Sequence, residues 1–199
     1  MASNVFISFR FRDGHIYKER LAQMLGQNRY TVDYSERQDR SGMSEYTIRS
    51  YLYSKLQRTS VTIVLLTPEA VNHQKNWQGQ YDDWMYDEIR YSLEDRENNR
   101  TNGLIAVYTP EAEPFVINKR TIHNVVEIRN FNNLCRANML NVKYLYKRNR
   151  NPLQYDEDWD SYCSLLSWSE FTNHIGRHVD IAVEKRNEIY KYVIQKRML

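Results

Sequence analysis

The stretch Val61-Thr62-Ile63-Val64-Leu65-Leu66 constrains this chain more than any other. It is apolar with little alternation. A strand with one wet face alternates polar and apolar side chains, so this one is expected to be buried on both faces. That is the situation of a central strand in a parallel sheet covered by helices on either side. Other short strand-favouring runs stand at Asn4 to Phe9, Tyr30 to Tyr34 and Gly103 to Tyr108, with a fifth expected at Asn124 to Ile128. Between them, apolar residues recur at helical spacing. Ile16, Leu21, Met24 and Leu25 form one such set, and Ile48, Leu52 and Leu56 form another behind a Ser44 cap. Strand and helix in strict alternation predict an α/β fold, a flavodoxin-like three-layer arrangement around a central parallel sheet.

Two units are expected. Residues 1–129 form the sheet domain, and 130–199 form a helical C-terminal elaboration packed on it, with helices at Asp158 to Phe171 and Arg177 to Arg197. A chain of 199 residues suits one domain with such an addition. The formal charge of +3 is too small to demand nucleic acid. Cys135 and Cys163 form no CxxC and no metal-ligand pattern, so reduced thiols are expected. No apolar run approaches the roughly 20 residues of a membrane span, and the N-terminus lacks a signal-peptide pattern. A soluble, cytoplasmic protein without membrane contact is the expectation.

The chemistry points to Tyr81 to Glu94, YDDWMYDEIRYSLE. Trp84, Met85, Ile89 and Leu93 mark it as a helix, and Asp82 and Asp83 suit the positive end of its dipole. Glu88 follows Trp84 by four residues and precedes Tyr91 by three, so it shares an aromatic face with both. Such a carboxylate is either a paired structural acid or a working one. In a parallel sheet, ligands bind at the carboxyl ends of the strands. That end collects Phe9 to Asp13, Tyr34 to Gly42 and the residues from Thr67 onward.

Other chemistries find little support. The sequence contains no GxxxxGK[ST], no GxGxxG after a strand and no GxSxG. His174 and His178 stand four apart on an expected helix but have no obvious third ligand, so no metal site is assigned. Lys143 to Arg150 mixes bases with tyrosines, as single-stranded nucleic-acid binders do. A solvated surface segment is the preferred reading there, and a nucleic-acid partner is disfavoured.

Four pieces in order resemble a TIR domain: Val5-Phe6-Ile7-Ser8-Phe9-Arg10, Tyr30 to Glu45, SVTIVLLTP at Ser60 to Pro68, and the WxxxE pattern of Trp84 and Glu88. Within that family the chain is most similar to the TIR-like proteins of Thoeris-type bacterial antiphage defence. The resemblance implies an NAD+-cleaving enzyme that releases ADP-ribose or cyclises it into a signal sensed by a separate effector. NAD+ would be substrate, with no other cofactor. Glu88 falls on the catalytic glutamate, and Trp84, Phe9 and Arg10 fall on substrate-facing positions. Asp33 and Asp39 match the ribose or phosphate contacts only loosely. Family members act through self-association, so TIR–TIR contacts are implied too. The alternative is a non-catalytic interaction scaffold in which Glu88 is structural and Ser35 to Met43 is the contact surface.

Overall fold

The computed structural model describes residues 4–34, 45–71, 84–95, 100–120, 125–129, 131, 133–149, 151 and 154–197. The chain begins with β1 (Asn4–Ser8), α1 (Phe11–Gln27), β2 (Thr31–Tyr34), α2 (Glu45–Leu56) and β3 (Val61–Leu66). It continues with α3 (Pro68–Val71), α4 (Trp84–Leu93), β4 (Gly103–Tyr108), α5 (Glu113–Val116), β5 (Ile117–Arg120) and β6 (Val125–Ile128). It closes with α6 (Asn133–Ala137), β7 (Cys163–Ser167), α7 (Trp168–Asn173) and α8 (Ile175–Asn187). Five strands form one parallel sheet in the order β2-β1-β3-β4-β7. This is the flavodoxin-like 2-1-3-4-5 order, with β7 in the fifth place.

The sheet separates two apolar layers, and strand alternation assigns side chains to each. Val5, Ile7, Ile63, Leu65, Ile105 and Val107 face α1 and α8. Val64, Leu66, Leu104 and Ala106 face α4 and α6. Phe6 meets α2 through Leu52 and Leu56. Every residue of β3 is buried, as its composition predicts. No helix among the described residues is long and apolar enough to cross a membrane.

The C-terminal half differs from expectation in three ways. Val125–Ile128 is a strand, but it pairs antiparallel with β5 in a separate hairpin. The fifth sheet strand is Cys163–Ser167, inside the stretch expected to be helical from Asp158 to Phe171. A five-residue edge strand carries too short a pattern for periodicity to identify, and the exposed edge of β4 decides it. The third concerns the last helix, which ends at Asn187 instead of running to Arg197. Tyr192 then turns inward, its ring 5.4 Å from that of Tyr162, while the Val193 N–H bonds the Asn141 carbonyl. A boundary at residue 129 therefore runs through the connection between two strands of a single sheet. Cys135 and Cys163 are buried free thiols, and a hydrogen bond from the Cys135 thiol to Cys163, together with burial, pushes the Cys135 pKa up.

Gly103 opens β4 where α8 crosses closest. A Cβ there would lie 2.3 Å from the Ala182 carbonyl oxygen, a backbone atom of α8. Gly26, in the last turn of α1, has nothing within 4 Å of its Cβ direction. Gly103→Ala is expected to destabilise the fold by about 2–3 kcal/mol through forced separation of helix and sheet. Gly26→Ala is expected to add about 0.5–1 kcal/mol by reducing unfolded-state freedom. Urea unfolding of the two variants checks both signs.

Candidate functional site

A polar seam runs between α4 and the sheet. Ser8 is the last residue of β1 and fully buried, and its hydroxyl donates to Glu88 Oε2 at 2.7 Å. Glu88 is itself only 2% exposed. One turn later on α4, the Ser92 hydroxyl donates to the Glu88 backbone carbonyl at 2.8 Å. Ser92 Oγ thereby has its lone pairs left for Thr62 Oγ1 on β3, 2.7 Å away. The Asn102 amide in turn donates to Thr62 Oγ1 at 3.2 Å and to Thr59 Oγ1 at 2.8 Å. The Thr62 and Ser92 hydroxyls each accept one bond and give one, which offsets the cost of burying them. Asn102 Oδ1 is buried with no hydrogen-bond partner among the described residues. The relay fixes the turn of α4 that carries Glu88 against β1 and β3.

The ends of neighbouring strands are fixed by a second constellation. Asp13, in the first turn of α1, accepts from Thr67 Oγ1 at 2.7 Å and from the Glu69 backbone N–H at 3.0 Å. It therefore caps α3 from outside that helix. Arg12 reaches Glu69 at 3.2 Å across the same junction. Further along, Tyr17 donates to both Glu111 carboxylate oxygens at 2.7 and 2.9 Å. Burial and that hydrogen bond push the Tyr17 pKa to about 12, and the same bond holds Glu111 below its ordinary value.

The residues expected at the site divide. Glu88 lies on α4 and meets the end of β1. Strand alternation through the extended backbone at Arg10 sets Ser8 and Arg10 on the same side of β1 as α4, and Arg10 is half-buried. Phe9 faces the other way. Its ring belongs to the α1-side core, packs 3.3 Å from the Cβ direction of Gly14 and lies 5.7 Å from the Lys18 ammonium. Trp84 is the first residue of α4, and its side chain lies outside the described residues, as do Tyr81 to Asp83, the loop Ser35 to Met43 and Asp39. Asp33 on β2 pairs with Lys55 at 3.8 Å. The residue that sequence reasoning did not single out is Ser8. Its signal was a hydroxyl at a buried strand position, four residues into an otherwise apolar run.

The family model for the TIR-like domain of the Thoeris protein ThsB matches residues 6–114, more than half of the chain. The chain belongs to the Thoeris ThsB TIR-like family. The match extends from β1 through β4 and includes both Ser8 and Glu88. No curated protein matches. Among solved structures, the TIR domains of the activated Roq1 resistosome directly recognizing the pathogen effector XopQ are similar at 20% identity and a TM-score of 0.37. That similarity covers 58% of this chain, which spans 62% of the Roq1 chain.

A cavity of about 680 Å³ lies away from Glu88, along β7. Behind its wall, Lys185 on α8 is fully buried and donates to Ser164 Oγ at 2.8 Å. Burial pushes its pKa down to about 8 from 10.5. Below pH 8 the amine is charged in both the folded and the unfolded chain, and the folded state carries the whole desolvation cost. Between pH 8 and 10.5 the unfolded chain binds more protons, so stability rises with pH. A difference of that size corresponds to about 3 kcal/mol. Lys185→Met is expected to be more stable than wild type at pH 7. Denaturant unfolding at pH 7 and pH 11 should show that advantage shrinking by about 3 kcal/mol at the higher pH.

Proposed function

We propose that this TIR-like chain cleaves NAD+ at the nicotinamide–ribose bond, with Glu88 as the catalytic carboxylate. The observation that carries the reading is the Ser8–Glu88 hydrogen bond of 2.7 Å at the carboxyl end of β1. It orients a single buried carboxylate at the end of a parallel sheet where such folds bind ligands.

One carboxylate is enough for this reaction. Nicotinamide leaves a cationic ring as a neutral molecule, so no general acid is required. The group that needs stabilising is the oxocarbenium-like ribosyl centre, as in glycoside hydrolysis. An ionised Glu88 opposite that centre acts electrostatically, and its worth grows as water is excluded. Ser8 acts through Glu88 by holding one carboxylate oxygen in place. Arg10, with a planar fork of donors, is suited to the pyrophosphate. Trp84 precedes Glu88 by one turn and would flank a flat ring. Phe9 contributes by anchoring the end of β1 in the α1-side core. Water as the nucleophile gives ADP-ribose. An internal nucleophile gives a cyclic product, which a separate effector would sense in antiphage defence. We place this chemistry in the cytoplasm and in a self-associated state.

One observation favours a second reading. A carboxylate that is 2% exposed and held by a serine also describes a structural acid. In that case the chain would be an interaction scaffold without turnover.

The two readings separate in an NAD+ turnover assay with mass-resolved products on assembled protein. Glu88→Gln is expected to lose nicotinamide release by about 10²–10³-fold while keeping its fold. Ser8→Ala is expected to lose about tenfold in kcat with a smaller change in KM, the mark of a positioning role. Wild-type protein that assembles yet releases no nicotinamide would leave the scaffold.

A further inference from the structure

The cavity beside β7 has the features of a binding site, and none of the chemistry proposed for Glu88 uses it. Four consecutive residues, Ser164 to Ser167, line it. A pocket on one face of a strand touches every second residue, so contact with a continuous run sets this one against the strand's edge. Among the described residues β7 is the last strand of the sheet, and only β4 pairs with it. The Cys163 N–H turns away from β4 to bond the Asn138 carbonyl at 2.8 Å. Backbone groups alternate sides along a strand, so the N–H and C=O of Leu165 point the same way. Among the described residues they meet no backbone partner. A free donor and a free acceptor side by side present the pattern that reads the edge of a nucleobase or a carboxamide.

The rest of the lining narrows the ligand. Ile117 and Ile128 of the β5–β6 hairpin and Met139 give an apolar floor for a flat ring. The rim is acidic, with Asp156, Glu157, Asp158 and Glu170. Arg177 engages Asp158 at 2.5 Å, and the Lys185 ammonium sits behind Ser164. Two carboxylates therefore exceed the cations. His178, 3.3 Å from Glu170, adds no charge near neutrality, because burial pushes its pKa below the ordinary value. Ionised carboxylates accept hydrogen bonds and repel anions, so the rim suits a sugar diol and disfavours a phosphate. A volume of about 680 Å³ lies within the range of small-molecule pockets. β7 stands three strand spacings from β1, roughly 14 Å, which sets this pocket apart from Glu88.

We propose that the cavity along the free edge of β7 is a second ligand site, for an uncharged purine nucleoside. The base edge lies on the Leu165 N–H and C=O, the ring lies over Ile117 and Ile128, and the ribose diol bonds the acidic rim.

Titration of the full chain with adenosine and, separately, with AMP tests this by calorimetry. Adenosine is expected to bind at least about tenfold more tightly than AMP, since the phosphate meets the acidic rim. Leu165→Pro removes the N–H that points away from β4, at an edge-strand position where proline is accepted, together with a side chain packed against the core, and is expected to weaken adenosine about fivefold. Ile117→Trp fills the floor and is expected to abolish binding. Glu88→Gln should bind adenosine as wild type does, so loss of NAD+ cleavage and loss of this site remain distinguishable. Three outcomes overturn the proposal: no adenosine binding at millimolar concentration, AMP binding equally well, or adenosine binding that disappears with Glu88→Gln. Where Leu165→Pro or Ile117→Trp fails to fold, the comparison of adenosine with AMP on the wild-type chain still decides.

Discussion

Burial of β3 on both faces is the constraint from which the rest of the molecule follows. A strand in that position supplies two apolar surfaces, and each must be covered. Ile63 and Leu65 require one helical layer and Val64 and Leu66 the other, so α1 with α8 and α4 with α6 lie on opposite sides. Crossover connections must then carry the chain from one strand to its parallel neighbour. Their loops gather at the carboxyl ends, and a site there is built from residues far apart in sequence. Ser8 and Glu88 are eighty positions apart and hydrogen-bonded.

Within those apolar layers a continuous polar relay runs from Asn102 through Thr62 and Ser92 to the backbone of α4. Its members are buried, so each unmade bond would cost roughly 1–3 kcal/mol. That penalty makes the relay a register device. If α4 slid by one residue along its axis, Ser92 would leave Thr62 and Glu88 would leave Ser8 together. A sheet-facing helix held only by Met85, Ile89 and Leu93 would tolerate such a shift more readily, because apolar packing is not directional. The carboxylate's position therefore rests on hydroxyl geometry more than on hydrophobic contact.

The parts of this arrangement legible in the sequence are those with long or unbroken patterns. VTIVLL and GLIAVY are central strands and read as such, because burial on both faces removes polar residues. The helix that carries Glu88 was visible in the spacing of Met85, Ile89 and Leu93. Cys163 to Ser167 was not, because five residues with two serines match a strand and a helix equally, and only the free edge of β4 chooses between them. The opposite facing of Phe9 and Arg10 was implicit in strand alternation, but it required knowing which helix covers which face. The acidic rim near β7 could not be read at all. Its floor comes from a hairpin at 117–128 and its wall from β7, and no local pattern records that these meet.

The approach of α8 to the sheet explains the cation beneath that wall. Gly103 and Ala182 are the small residues at the crossing, and they bring the backbone of α8 closer to β4 than any Cβ on Gly103 would allow. Three residues after Ala182, Lys185 is thereby held under β7 with no route for its ammonium to reach water. A long side chain ordinarily extends its charged end to solvent, and here the helix is too close for that. Ser164 is its partner, and the carboxylates of Asp156 and Asp158 offset part of the desolvation cost from across the strand. The acidic rim and the buried lysine thus balance one another across a single edge strand. Neutralising the lysine while keeping the rim should deepen the pocket's negative potential and sharpen its preference for uncharged ligands over anions.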